Sequence, residues 1–147
     1  MFQGNNVKDQ DANVAVFQDM TSSASLMVAG KFSDVIASRD GHPGSQSDAP
    51  MAYAQTELGG DETWIFLPRD QWPAAWHGMR NPVCRLRLAL YGHPLSGAFW
   101  EQHCRKMLLS VGFESIPSWE CCFLHRELKI VLSVCVDDSR WRGRRRQ

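Results

Sequence analysis

Apolar side chains recur three and four positions apart at Leu26, Met27, Ala29, Phe32, Val35 and Ile36, the period of a helix with one apolar face. Ser22 and Ser23 stand where helix caps belong, and Gly41-His42-Pro43-Gly44 stops the run, so a helix is predicted between them. A stretch rich in Ser and Gln follows and reads as a loop. From Asp48 to Gln55, Pro50 near the front suits a strand-to-helix or strand-to-turn junction, which Gly59-Gly60 closes. Residues 63–67 form a short β-prone run ended by Pro68. Residues 83–90 form another, with Arg85 and Arg87 alternating with apolar residues as on a half-exposed strand. Between them, Trp72-Pro73-Ala74-Ala75-Trp76-His77-Gly78 reads as a loop that packs two indoles.

The broadest helical stripe runs over 94–111, through Leu95, Ala98, Phe99, Met107 and Leu108 with Trp100, Cys104 and Val111 beside them, and Gly112 supplies the stop. Residues 122–125 and 128–136 are two β-prone runs separated by Arg126-Glu127, which predicts a tight hairpin. The second run is nearly all apolar, as in a strand buried on both faces, yet it ends on two adjacent carboxylates, Asp137 and Asp138. Like charges side by side at the end of a buried strand repel and are costly to desolvate, so water or a cation must compensate them.

The chain has 147 residues, 44% of them apolar and 22% charged, which bounds it to one globular domain of ordinary size. Residues 130–136 are the longest hydrophobic stretch, far short of the ~20 that cross a bilayer, so no membrane partner is expected. Residues 1–10 lack a basic start and an apolar run, so an intracellular, reducing compartment is expected, with cytoplasm and nucleus both open. The five cysteines form no Cys-x-x-Cys pair and read mainly as small buried apolar groups. Zinc at Cys121, Cys122 and His125 with His103 and Cys104 is the less common reading of such a cluster. The formal charge is zero, but residues 1–60 carry three basic and seven acidic side chains, whereas 140–147 carry five arginines and no acid. Those arginines read either as a solvated, disordered tail over 139–147 or as a phosphate-binding or import segment.

Two-metal nucleotidyl transfer needs carboxylates from separate strands, holding Mg²⁺ ions about 4 Å apart. Asp48 is the candidate partner for the aspartate pair, and Tyr53, five residues on, could block a ribose 2′-hydroxyl. The wider order of motifs is Gln3-Gly4-Asn5, then Asp48-x-x-x-Ala52-Tyr53, then Val83-Cys84-Arg85-Leu86-Arg87-Leu88-Ala89-Leu90-Tyr91-Gly92 leading into Ala98-Phe99-Trp100. Val111-Gly112-Phe113, Cys122-Phe123-Leu124 and Val134-Cys135-Val136-Asp137-Asp138 complete it. In this order the chain, from about Phe2 to Asp138, resembles the reverse transcriptase domain of copia-type LTR retrotransposon polyproteins.

The resemblance implies an α+β palm-type polymerase core: an antiparallel sheet backed by helices, with partial fingers and no thumb, over residues 1–138. It implies RNA-directed DNA polymerase chemistry with two Mg²⁺ ions, and an RNA template, a DNA primer and a deoxynucleoside triphosphate as partners. Asp48, Asp137 and Asp138 would be the catalytic metal ligands. Tyr53 would discriminate the sugar, with Tyr91, Gly92 and Cys135 also at the substrate. The segment from Tyr91 to Ser96 would line the template side. The departures are specific. The upstream basic fingers strand is not in the chain, Cys135 stands where an aromatic is usual, Ser139-Arg140-Trp141-Arg142 replaces an apolar return strand, and the rest of the polyprotein is missing. The chain is therefore expected to be a truncated copy, inactive alone. A non-catalytic nucleic-acid-binding remnant, or an unstable one, is the alternative.

Overall fold

The computed structural model describes residues 7–9, 11–16, 27–39, 44–136 and 138–143, with the backbone alone described for Met27 and for 138–143. The architecture is α+β. Helix α1 (Met27–Ala37) leads to strand β1 (Gly44–Asp48), and β2 (Trp64–Phe66) and β3 (Val83–Arg85) follow. Helix α2 (Ser96–Ser110) precedes β4 (Glu114–Ser115), β5 (Cys122–His125), β6 (Ile130–Cys135) and β7 (Asp138–Gly143). Five strands form one antiparallel sheet in the order β1-β7-β6-β5-β4, while β2 and β3 form a separate antiparallel ribbon.

The centre of the large sheet follows from the hydrophobic pattern. In β6, Leu132, Ser133 and Val134 are all buried, so this strand is covered on both faces. Phe123, Leu132 and Val134 form a core cluster onto which Cys104 and Leu108 of α2 and the following Phe113 pack. Helix α2 ends as Gly112 predicts. With Gly112 at φ +93, its N–H donates to the Leu109 carbonyl (3.2 Å) and the Phe113 N–H to that of Leu108 (3.1 Å). That is a Schellman closure, and Leu108 and Phe113 on either side of it both pack against the core cluster. The β5–β6 hairpin is looser than its sequence predicts. Four residues, 126–129, make the turn, with Lys129 at φ 54, while Arg126 pairs with Glu114 at 2.8 Å.

Three expectations need correction. The Ser/Gln-rich stretch is a strand, not a loop: β1 is polar throughout and earns its place by backbone pairing with β7 rather than by burial. Residues 139–147 were expected to be a disordered tail, but Asp138–Gly143 lies between β1 and β6, so the chain returns along the sheet after the aspartate pair. Arg144 to Gln147 lie outside the described residues, as do Ser22 and Ser23. On α1 the buried positions are the small Ala29 and Ser33, whereas Val28, Phe32 and Val35 are exposed. Small side chains let this helix lie close against β6 and β7, and Phe32 meets Trp119 edge-on at 5.3 Å.

Residues 83–87 keep their alternating exposure, which breaks at the exposed Leu88 as the segment changes partner. After β3 leaves β2, the Leu58 N–H donates to the Arg87 carbonyl (2.9 Å) and the Ala89 N–H to that of Thr56 (2.8 Å). Of the two indoles in the Trp72 loop, that of Trp72 donates its Nε1–H to the Leu67 carbonyl at 2.9 Å with Arg69 5.5 Å from the ring centre, and Trp76 is half-buried. No helix among the described residues is long and apolar enough to cross a membrane.

The Schellman closure yields a stability prediction. Gly112→Ala forces an L side chain into the left-handed region, and its Cβ would lie 3.0 Å from Nε2 of His125. A loss of about 1–2 kcal/mol is expected, read as a lower urea midpoint with an unchanged slope.

Candidate functional site

Strand β1 ends on Asp48 and β7 begins on Asp138, and these two positions are register partners across the antiparallel ladder. Directly opposed Cα atoms in such a ladder are about 5 Å apart. Asp138 is also the partner of Cys135, so the connection from β6 to β7 is only two residues long and begins on Val136. Asp137 lies outside the described residues. Val136 has φ 51 and is exposed. A β-branched residue in the left-handed region costs roughly 1–2 kcal/mol, so something must hold this turn. Trp100 of α2, itself buried, donates its Nε1–H to the Val136 carbonyl at 2.8 Å.

After Asp48 the chain turns through Pro50 and Met51, the latter also left-handed at φ 51, into a 3-10 turn over Ala52–Gln55. Ala52 is fully buried, which anchors the turn and leaves Tyr53 beside it half-exposed. The backbone pairing of 56–58 with 87–89 then brings Leu90-Tyr91-Gly92 alongside. The rings of Tyr53 and Tyr91 lie 4.5 Å apart at 35°, and Gly92 has φ +89. Ser96, fully buried at the start of α2, holds this loop. Its Oγ donates to the Leu90 carbonyl (2.8 Å) and accepts from the Leu90 N–H (3.0 Å). Ser96 therefore clamps the loop from within and does not line a template surface.

The structure thus gathers Asp48 and Asp138 at one ladder position and Tyr53 and Tyr91 in one ring pair. Cys135 is exposed at the end of β6. The sequence places Trp100 beside the apolar stripe of α2 and in a motif, with no sign of its contact with Val136. Its indole contact joins residues far apart in the chain, and no local signal encodes it. Gly59 is a further silent position: a Cβ there would lie 2.7 Å from Cε1 of Phe99, so the segment after Tyr53 packs against α2 only because Gly59 has no side chain.

Among the described residues no group of three or more His, Cys, Asp or Glu could hold a metal ion. The residues weighed for zinc have other roles. His103 stacks on Trp100, His125 meets Phe113 edge-on, and Cys122 is buried in β5. Burial, and then the Glu101 carboxylate and the neighbouring thiols, push Cys121 up to about 12. Burial also raises Cys104, reinforced by Glu101, and raises Cys122. Protonated thiols are weak nucleophiles, consistent with apolar packing roles.

No protein-family model matches this chain, and neither a curated protein nor a solved structure matches it.

His93, buried beside the Tyr91 loop, accepts the Leu95 N–H through Nδ1 at 3.2 Å, and burial holds it below its ordinary value of 6.5. As pH falls through that value the unfolded chain takes up a proton that the folded one resists, so stability falls on acidification and is level above it. Melting temperature is expected to drop between about pH 7.5 and 5.5. The drop should shrink in His93→Asn, whose amide oxygen can accept the same N–H.

Proposed function

We propose that the chain carries the palm-type core of a copia-type RNA-directed DNA polymerase, with its substrate site formed where the β1–β7 ladder meets the Tyr53–Tyr91 pair. The observation that carries this reading is the opposed placement of Asp48 and Asp138, two positions widely separated in sequence and joined by adjacent antiparallel strands. A return strand after the aspartate pair also supports it, because the polar residues from Asp138 onward run back along β6 as the family's apolar strand would.

The donor chemistry fits magnesium: aspartates offer hard oxygen ligands, and magnesium keeps waters to complete its shell. Asp48 and the Asp137-Asp138 pair would hold it. When bound, it supplies charge neutralisation at the attacking and leaving oxygens of an in-line displacement. The chain's own residues do the rest. Tyr53 and Tyr91 present an aromatic platform at the end of β1, on which a base or sugar of a deoxynucleoside triphosphate can rest, and Tyr53 excludes a 2′-hydroxyl. Ser96 and Trp100 hold the two loops in place from one face of α2. The reaction class is attack of a primer 3′-hydroxyl on an α-phosphorus with pyrophosphate leaving. Cys135 contributes no ring beside the primer end, so weak or absent primer extension by this chain alone is expected.

The test is therefore binding rather than turnover. Titration with Mn²⁺ or Mg²⁺ is expected to raise the melting temperature of the parent chain, the signature of a ligand held by the native state. Asp48→Asn should melt higher than the parent without metal, because opposed like charges are relieved, and should lose the metal response. A parent chain that binds neither ion sinks the reading. With metal present, Tyr53→Val should lose preference for a deoxynucleoside over a ribonucleoside triphosphate, read by competition for the bound nucleotide.

A further inference from the structure

The two-residue turn between β6 and β7 uses a poor turn sequence when a better one is adjacent. Tight hairpin turns favour residues that tolerate positive φ, such as Asn, Asp and Gly. Here the first turn position is Val136, at φ 51. Moving the turn one residue along, which shifts the pairing of β7 on β6 by two, would place Asp137-Asp138 at its centre. Such a shift keeps every side chain of β6 and β7 on its present face, since faces alternate with a period of two, so the hydrophobic pattern does not forbid it. It would take Asp138 out of the ladder and away from its position opposite Asp48. One interaction specific to the observed register is the 2.8 Å bond from Trp100 Nε1–H to the Val136 carbonyl. Trp100 is only 8% exposed and stacks on His103 at 5.9 Å, so its indole is fixed before it meets the turn. Ser96, one helical turn earlier on the same face of α2, grips Leu90.

We propose that Trp100 is a positioning residue that selects the β6–β7 register and thereby sets Asp138 opposite Asp48. This rests on the metal-site reading above. The test is Mn²⁺ affinity measured by titration on the full chain, with folding followed by circular dichroism. Trp100→Phe keeps the packed ring and removes the N–H. It is expected to fold and to bind Mn²⁺ roughly ten- to a hundredfold more weakly, the usual effect of losing a group that orients metal ligands. Adding Val136→Gly, which removes the conformational penalty of the observed turn, should restore most of that loss. A general packing role for Trp100 predicts no such rescue. In the parent chain, the Trp100 indole proton should exchange slowly with solvent, a measurement that needs no variant to fold. Unchanged Mn²⁺ affinity in Trp100→Phe, failure of Val136→Gly to rescue, or a rapidly exchanging indole proton overturns the proposal while leaving the metal site standing. Absence of Mn²⁺ binding in the parent overturns both.

Discussion

Strand β7 is the constraint on which the arrangement depends. Strands β5 and β6 would associate anywhere water is excluded, because they are mostly apolar and their middle residues are buried in succession. Strand β1 has no such reason to be where it is. Its five residues, Gly44–Asp48, are polar, and their position in the sheet comes from backbone bonds to β7, each worth only about 1 kcal/mol net. Remove β7 and β1 loses its neighbour in the ladder, so Asp48 has nothing to define its position against the aspartate pair.

Helix α2 transmits that order to the rest of the molecule through three contacts of different kinds. Ser96 binds both backbone groups of Leu90, Phe99 meets the bare backbone at Gly59, and Trp100 reaches the turn at Val136. The first two tie down the segment inserted between β1 and the helix, and the third ties down the return of the sheet. Cys104 and Leu108, further along, close the core beneath β5 and β6. One helix thus sets the distance between the tyrosine pair and the ladder that joins Asp48 to Asp138.

What was legible in the sequence was whatever burial dictates locally. The β5–β6 hairpin, α2 and its Gly112 stop follow from period and punctuation, and the structure keeps them. The polar strands were not legible, since Gly44–Asp48 and Asp138–Gly143 carry no hydrophobic alternation and pair only because distant segments present free ladders. The buried face of α1 was misread for a related reason. Periodicity marks apolar residues and so finds Ala29, but it expects Phe32 and Val35 inside, where the small Ser33 is buried instead. Asp48, Tyr53, Tyr91 and Asp138 were nominated by the order of motifs. The meeting of Tyr53 with Tyr91 depends on the partner change of residues 83–89, and that of Asp48 with Asp138 on the register of β7, neither of which a local window contains.

The β2–β3 ribbon has a practical corollary. Trp64 and Phe66 alternate onto one side of it, 53% and 69% exposed, and Val83, opposite Phe66, is also exposed. With formal charges balanced at neutral pH, there is little long-range repulsion to keep these greasy patches on separate molecules from meeting. The ribbon is therefore an apolar surface at which net-charge repulsion does little to oppose self-association.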